Sequence, residues 1–314
     1  MEKILNQFHV FLIKQGKDKR VCNSYRNDVR TFCEVCKITN VEQLNFKKAS
    51  EYDPIFLTYI NWLKDVRKNK YKTMCRKLSA LEKFFAFLVR YDFIIMDPVP
   101  SFRQFNMQEH KTEDSEMRML PEPKEVKVTL KNSNNIKLFF MIALLAKSGA
   151  RRQEVIDADH EDFKIERKIW EVKSHPKRTG KKIPLDDELI AIFKIYMKTR
   201  TDDCPALFIG KRGRRINKDA LREDLTDVFR RCGLYKDGGK LDERLTPHCF
   251  RHFQNTQLDL SGLPRGILTE IRGDQRKDID SCERYIHYNE KNLVKIYNQH
   301  KIKLVGKSMR LPRK

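Results

Sequence analysis

Residues 138–154 read LFFMIALLAKSGARRQE, an apolar run that passes through a glycine into a pair of arginines. The run has no polar face, and an α-helix that is apolar on all sides belongs in the middle of a folded domain. We therefore predict a central buried helix over residues 137–147. After Gly149 the helical pattern continues from Arg151 to Ile156, which would place Arg151 and Glu154 on one helix face.

The sequence that follows this helix predicts mixed structure. Residues 163–172 and 181–185 have the composition of short strands, and a basic turn separates them. Further helices are predicted over residues 188–198, 219–231, 248–260 and 280–288. The predicted fold is therefore mainly α with a small antiparallel β-sheet, an α+β fold.

The first hundred residues predict a separate helical domain. Apolar residues recur there at helical spacing in four segments, the last of which runs through Leu88 and ends before Asp97-Pro98. Cations are dense beside the start of this fourth helix, where contacts with DNA phosphates are expected. The predicted DNA-binding side chains are Lys68, Lys70, Lys72, Arg76 and Lys77.

The helical periodicity fades between Val99 and Pro123, where prolines bracket a polar segment. We therefore predict a helical DNA-binding domain over residues 1–100 and an interdomain linker over residues 101–123. A second, mixed domain is predicted over residues 124–300, followed by a basic C-terminal tail over residues 301–314.

The charge of the chain points to a polyanionic partner. The 314 residues carry 65 Lys and Arg against 43 Asp and Glu, a formal net charge of +22 spread along the whole chain. This favours a broad surface for nucleic acid. The longest apolar run is about half of the roughly 20 residues that a membrane-spanning helix needs, and the N-terminus lacks the pattern of a cleavable signal peptide. We expect a soluble cytoplasmic protein with no membrane partner.

The cysteines do not predict a metal site. Cys33 and Cys36 form the one CxxC pattern, and no second pair follows at the spacing of a zinc site. We interpret these two residues as packing on a helix.

Two arginines lie in apolar sequence surroundings, where a charge without a partner is costly. Arg151 follows the buried helix, and Arg251 lies one helical turn after His248 in the segment LTPHCFRH. Cutting DNA without a metal requires fixed cations at the phosphate, and arginine binds two phosphate oxygens and stays charged. It also requires a nucleophile and an acid for the leaving oxygen.

At this point the chain resembles the tyrosine recombinase (phage-type integrase) family over nearly its whole length. The N-terminal helices, which include residues 77–85, resemble the family's core-binding domain. The segments that carry the likeness of the catalytic half are, in chain order, Leu120-Pro121, SGARRQE at 148–154, KRTGKKIPL at 177–185, HCFR at 248–251 and ERYIH at 283–287.

The resemblance implies a role for each matching residue. Tyr285 would attack the scissile phosphate, Arg151 and Arg251 would clamp its oxygens, and Lys177 would protonate the leaving 5′ oxygen. His248 would act as a base or hydrogen-bond partner, and Glu154 would orient an arginine. The bond energy would be stored in a 3′-phosphotyrosine, so no metal, nucleotide or other cofactor is implied.

Some assignments stay open. Tyr288 is a second candidate nucleophile, Arg152 could replace Arg151, and the lysine could be any of Lys173, Lys177, Lys181 and Lys182. The family usually has Gly-His before the tyrosine segment, whereas Asp274 follows Gly273 here. Asp274 could stand at that position, or a neighbour could supply the missing hydrogen bond; the supporting candidates near it are Gln275, Arg276 and Lys277. This departure suggests a variant from an archaeon, an archaeal virus or a mobile element.

The resemblance also implies partners and an assembly. The expected substrate is double-stranded DNA. The protein is expected to be a monomer or dimer in solution and to assemble as a tetramer on two DNA sites. The last helix would dock on a neighbouring subunit, and the location would be cytoplasmic, either nucleoid-associated or encoded by a mobile element. The alternatives are a type IB topoisomerase-like enzyme and a catalytically silent DNA-binding protein with the same fold.

Overall fold

The computed structural model describes residues 1–108, 117–174, 180–273, 289–305 and 311–312. The chain divides into two compact units, Met1–Asp114 and Ser115–Lys314. Each unit has its own hydrophobic core. The described residues are mostly helical with one small antiparallel sheet, so the predicted fold class is confirmed. None of the described helices is long and apolar enough to cross a bilayer.

The first unit is built from helices and connecting loops, with no strand among its described residues. Its α-helices are α1 (Glu2–Lys14), α2 (Lys19–Val35), α3 (Asp53–Asn61), α4 (Tyr71–Arg90) and α5 (Val99–Asn106). A cluster of rings forms the core, in which Phe56 lies 5.8 Å from Phe32 and 5.5 Å from Phe85 between ring centroids. Burial raises the pKa of both thiols of the CxxC pair, Cys33 and Cys36, to about 12, so both stay protonated at neutral pH.

The structure corrects the sequence prediction at the end of this unit. Helix α4 ends at Arg90, and α5 occupies part of the stretch predicted to lack helical periodicity. Pro98 caps α5 and Pro100 lies in its first turn, where a missing N–H is harmless. Phe102 packs 4.9 Å from Phe56 between ring centroids. Tertiary packing therefore holds a helix too short to show a pattern.

The second unit contains the apolar helix predicted from the opening stretch. The helices of this unit are α6 (Pro123–Lys131), α7 (Ile136–Ser148), α8 (Arg152–Asp157), α9 (Asp187–Lys198), α10 (Lys218–Arg231), α11 (Pro247–Leu260), α12 (Arg265–Arg272) and α13 (Glu290–His300). Every residue of α7 except Lys137 is buried, so the prediction of a central helix is confirmed.

The sheet has three antiparallel strands in the order β1 (Phe163–Lys164), β2 (Ile169–Val172) and β3 (Lys181–Pro184). The single strand predicted over residues 163–172 is wrong, because a 3-10 turn over Ile165–Arg167 and a left-handed Lys168 break it in two. Residues Val172 and Lys181 are paired in the register of β2 and β3. This pairing fixes the position of Lys181 at the edge where the site lies.

Helix α12 was missing from the sequence prediction. It has eight residues and buries Ile267, Leu268 and Ile271, too few positions for a periodic signal. Pro264 precedes it, and Gly273 ends it in the left-handed region at φ 60°. The helix predicted over residues 280–288 lies outside the described residues.

The C-terminal segment packs on the unit to which it belongs. Leu293 and Tyr297 of α13 are buried in the core, and so are Ile302 and Leu304 beyond it. The expected docking of this helix on a neighbouring subunit is therefore not needed to bury its apolar face.

A buried ion cluster holds this segment. The Lys147 ammonium donates to the Ile302 carbonyl at 2.6 Å and pairs with Asp186 at 2.7 Å and with Glu188. Glu188 in turn accepts from the Val305 amide at 2.5 Å. Removal of Lys147 would leave Asp186, only 1% exposed, without this cation.

Candidate active site

The first arginine lies at a sharp turn between two helices. Helix α7 ends at Ser148, and Gly149 follows in the left-handed region at φ 56°. An added Cβ at Gly149 would lie 2.5 Å from Gln254 Oε1, so the turn requires glycine on two counts. Arg151 then caps α8 rather than continuing a helix, which corrects the sequence prediction.

Glu154 closes this cap. Its carboxylate accepts from the Arg151 backbone N–H at 2.8 Å and from the Arg151 guanidinium at 3.1 Å. The predicted link between Arg151 and Glu154 is therefore present, but through a capping box and not through a shared face of a longer helix. Arg152 begins α8 and is exposed beside Arg151.

The second arginine lies inside the unit. Helix α11 carries His248 in its first turn and Arg251 one turn later, and Arg251 is only 6% exposed. The Arg251 guanidinium donates to the Gly149 carbonyl at 2.9 Å. This bond joins α11 to the turn that positions Arg151.

Three cations converge on one backbone oxygen. The carbonyl of Arg272, the last residue of α12, accepts from Arg151 at 3.4 Å, from Arg251 at 3.2 Å and from Lys181 at 3.2 Å. The carboxyl end of a helix carries a partial negative charge that stabilises cations. Helix α12 therefore gathers three positive side chains around a point to which an anion would be attracted.

Lys181 is the buried lysine of this cluster. Its ammonium lies 3.0 Å from Glu154 Oε2, and its side chain is 5% exposed. Burial lowers the pKa of Lys181 to about 8, although Glu154 opposes the shift. Burial alone would raise the pKa of Glu154, but Lys181 and Arg151 outweigh it and the pKa is lowered. At neutral pH the two therefore form a charged pair.

His248 stands at the rim of the cluster. Its ring packs edge-to-face on His252 with centroids 4.8 Å apart. Burial, followed by the charges of His252, Arg118, Arg251 and Arg151, lowers the pKa of His248 below its usual value. The imidazole is therefore mainly neutral at neutral pH and able to accept a proton.

The other candidate lysines have different surroundings. Lys173 pairs with Asp159 and lies 3.4 Å from Asp162. Lys182 lies 2.5 Å from Glu290 of α13. Lys181 is thus the member of the set that the described residues bring to the two arginines, and its position is set by strand pairing that the sequence did not reveal.

Several predicted residues lie outside the described residues. They are Lys177, Asp274, Gln275, Arg276, Lys277, Tyr285 and Tyr288. Gly273, the last described residue before the tyrosine segment, has its Cα beside Lys181, because an added Cβ would lie 2.7 Å from Lys181 Cδ. Gly273 therefore lies against the cation cluster, 12 positions before Tyr285 in the sequence.

The predicted DNA-binding cations of the first unit fall into two groups. Lys68, Lys70 and Lys72 are exposed. Arg76 and Lys77 pair with the buried Asp28 carboxylate at 2.9 and 2.5 Å, and the Lys77 side chain is only 17% exposed. Lys77 therefore holds α4 to α2, while Arg76 keeps half of its side chain in solvent.

Comparison with known proteins agrees with this architecture. Residues 113–292, more than half of the chain, match the profile described as "Phage integrase family". Residues 5–92 match the profile "Phage integrase, N-terminal SAM-like domain".

The chain is similar to named recombinases over almost all of its length. The tyrosine recombinase XerC of Thermodesulfovibrio yellowstonii is 23% identical, with 94% of this chain and 95% of the relative covered. The tyrosine recombinase XerA of Pyrococcus horikoshii is 24% identical, with 92% and 90% covered.

Two solved structures share the fold. The Tn1549 transposon integrase in complex with a circular intermediate DNA has a TM-score of 0.67 at 17% identity, with 95% of each chain covered. A lambda integrase dimer bound to a COC′ core site has a TM-score of 0.68 at 12% identity, with 89% of this chain and 97% of the other covered. With the family profiles spanning both units, the chain belongs to the phage integrase family and is a tyrosine recombinase.

Proposed function

We propose that this chain recombines double-stranded DNA at specific sites through a covalent 3′-phosphotyrosine, with Tyr285 as the nucleophile. The observation that carries the proposal is the convergence of Arg151, Arg251 and Lys181 on the single carbonyl of Arg272. Fixed cations of this kind stabilise the charge that develops on a phosphate in the transition state. The clamp is preorganised because Glu154 and the Gly149 carbonyl already hold the two arginines.

The proposed chemistry balances without a cofactor. The Tyr285 oxygen attacks the scissile phosphorus, a phosphotyrosyl bond forms, and the bond from phosphorus to the 5′ oxygen breaks. His248, mainly neutral at neutral pH, accepts the proton of the tyrosine. Lys177 donates a proton to the leaving 5′ oxygen, and a 5′-hydroxyl from the partner strand reverses both steps.

The buried Lys181 has a different role in this proposal. Its ammonium is held between Glu154 and the Arg272 carbonyl and is almost fully buried. A group held in this way orients its neighbours, so we assign to it the positioning of Glu154 and thereby of Arg151. Lys177 stays the proposed proton donor. The supporting roles of Asp274, Arg276 and Lys277 remain proposals from the family likeness.

The remaining partners are also proposed. The exposed Lys68, Lys70 and Lys72 would contact DNA phosphates, with Arg76 beside them. A tetramer on two sites is proposed from the family likeness. We also propose a cytoplasmic location, as the family likeness implies.

A selection for binding followed by a strand-exchange assay tests the proposal. Duplexes with a randomised core would be selected by gel shift with the full chain, and the sequence recovered is called the selected duplex. Two differently labelled copies, incubated with the protein in EDTA, should yield recombinant strands. Relaxation of supercoiled DNA without exchanged strands would favour the topoisomerase-like alternative. Binding without any covalent product would favour the silent DNA-binding alternative.

A further inference from the structure

A second group of cations lies beside the clamp and has no role in the proposed chemistry. A cavity of about 340 Å³ is lined by Arg151 of the clamp and by His248, and Arg118, Arg152 and Thr246 extend its lining beyond them. At about 30 Å³ per water, this volume holds roughly ten water molecules. No carboxylate is among the residues that line the cavity.

The charges of Arg118 and Arg152 are not offset within the described part of the chain. Arg151 is paired with Glu154, and Arg251 donates to two carbonyls. Neither Arg118 nor Arg152 has an ion pair or a hydrogen bond from its guanidinium to any described residue. Like charges that crowd one cavity repel each other unless an anion binds between them.

The backbone next to Arg118 is anchored, although the Arg118 side chain is exposed. The N–H of the next residue, Met119, donates to the Leu241 carbonyl at 3.2 Å, and the Met119 side chain packs on the core. Burial and then Arg118 lower the pKa of His252, and Arg118 also contributes to the lowered pKa of His248. Arg118 therefore lies close enough to both rings for its charge to act on them.

The cavity is well placed for a neighbouring phosphate. Successive phosphates of one DNA strand are spaced by about 3.4 Å along the helix axis. A strand with its scissile phosphate at Arg151 and Arg251 therefore presents another phosphate within the reach of a long arginine side chain. The N-terminal end of α11, capped at Thr246, adds partial positive charge on the same side.

We propose that Arg118 and Arg152 bind a second backbone phosphate of the cleaved strand, next to the phosphate held by Arg151 and Arg251. The inference rests on the proposed function, since it takes DNA to be the substrate. The second contact would fix the direction of the strand across the clamp and so align the scissile bond.

The test uses binding rather than chemistry, so that its outcome does not depend on cleavage. The full-length Tyr285→Phe protein would be titrated with the selected duplex and with versions in which a methylphosphonate removes the charge of one phosphate at a time. The same series would be measured with Arg118→Gln, Arg152→Gln and Arg251→Gln added. Arg222→Gln is the matched control, because Arg222 is exposed on α10 and does not line the cavity.

The expected result is a coupling between each arginine and its own phosphate. Loss of the second phosphate's charge should weaken binding about tenfold in the starting protein and less than about twofold after Arg118→Gln or Arg152→Gln. Arg251→Gln should instead diminish the effect of removing the charge of the scissile phosphate. Arg222→Gln should change the effect of neither phosphate. Arg118→Gln should also reduce the slope of log Kd against log salt by about 0.9.

Two outcomes would overturn the inference. In one, Arg118→Gln leaves both the affinity and the pattern of interference unchanged. In the other, Arg118 couples to the same phosphate as Arg251, which would make it part of the scissile clamp. Failure of strand exchange with the coupling intact would count against the proposed function and not against this second site.

Discussion

Removing the charge of Glu154, the partner of the buried Lys181, should destabilise the second unit by a measurable amount. Glu154 is 8% exposed, and its carboxylate lies 3.0 Å from the Lys181 ammonium. The change Glu154→Gln keeps the shape and the acceptor for the Arg151 N–H but removes the charge. Breaking a buried ion pair by removing one partner costs about 3–5 kcal/mol. Because the amide keeps one hydrogen bond, we expect the lower end, about 3 kcal/mol.

The magnitude translates into a thermal shift. For a unit of this size, Ser115–Lys314, 1 kcal/mol corresponds to about 2–4 °C, so the Tm should fall by about 6–12 °C. The assay is tryptophan fluorescence in a Trp62→Phe background, in which the buried Trp170 is the only tryptophan and reports on the second unit. The control Glu161→Gln makes the same chemical change at an exposed position and should stay within about 0.5 kcal/mol.

The same pair predicts a pH dependence. The pKa of Lys181 is about 8 in the fold against 10.5 as its ordinary value, so the charged lysine destabilises the fold below about pH 8. Between these two values the unfolded chain binds the extra proton, and stability therefore rises with pH. Removing the Glu154 charge lowers the pKa of Lys181 further. The loss of unfolding free energy caused by Glu154→Gln should therefore become smaller as the pH is raised from 7 to 10.

A double-mutant cycle decides whether the two residues act as a pair. Lys181→Met alone should also destabilise the unit, since it leaves a buried carboxylate with Arg151 as its remaining partner. The double variant should be more stable than the sum of the single effects implies, by about 2 kcal/mol, within the range for residues in contact. The reasoning would be refuted if the two single effects on the unfolding free energy added to within about 0.5 kcal/mol and the loss caused by Glu154→Gln stayed the same at pH 10.

Two further predictions concern the proton donor and the C-terminal segment. A substrate with a bridging 5′ sulfur needs no acid for its leaving group. It should therefore restore cleavage by Lys177→Ala but not by Lys181→Ala. Restored cleavage by Lys181→Ala alone would exchange the roles of the two lysines. Lys147→Met leaves the carboxylates of Asp186 and Glu188 without their cation and should destabilise the unit by about 3 kcal/mol. It should also speed tryptic cleavage at Lys301 and Lys303, whereas Lys194→Met, an exposed change on α9, should do neither.

The features that the sequence predicted well are those with a local signal. Helix α7 is apolar on every side, and its burial follows from that pattern alone. His248 and Arg251 share a helix, and their spacing of one turn places both at the site. Gly149 marks the turn before Arg151, although the sequence did not indicate that Arg151 caps the next helix.

The features that were missed depend on contacts between distant segments. The contact of Lys181 with the two arginines depends on the register of β2 and β3, which pairs Val172 with Lys181. No sequence motif surrounds Arg118. The hydrogen bond from the Met119 N–H to the Leu241 carbonyl holds the adjoining backbone near the site. The acceptor that gathers the three cations is a backbone carbonyl at the end of an eight-residue helix, and a backbone atom leaves no trace in the order of side chains.

The central claim is the covalent link between Tyr285 and DNA. The most direct measurement is denaturing electrophoresis of the protein after incubation in EDTA with a nicked version of the selected duplex, followed by peptide mapping of any adduct. The wild-type chain and Tyr288→Phe should both form the adduct, Tyr285→Phe should not, and the DNA should map to the peptide that contains Tyr285. An adduct that persists in Tyr285→Phe and disappears in Tyr288→Phe would contradict the assignment. The absence of any adduct on a duplex that the wild type binds would contradict the proposed chemistry as a whole.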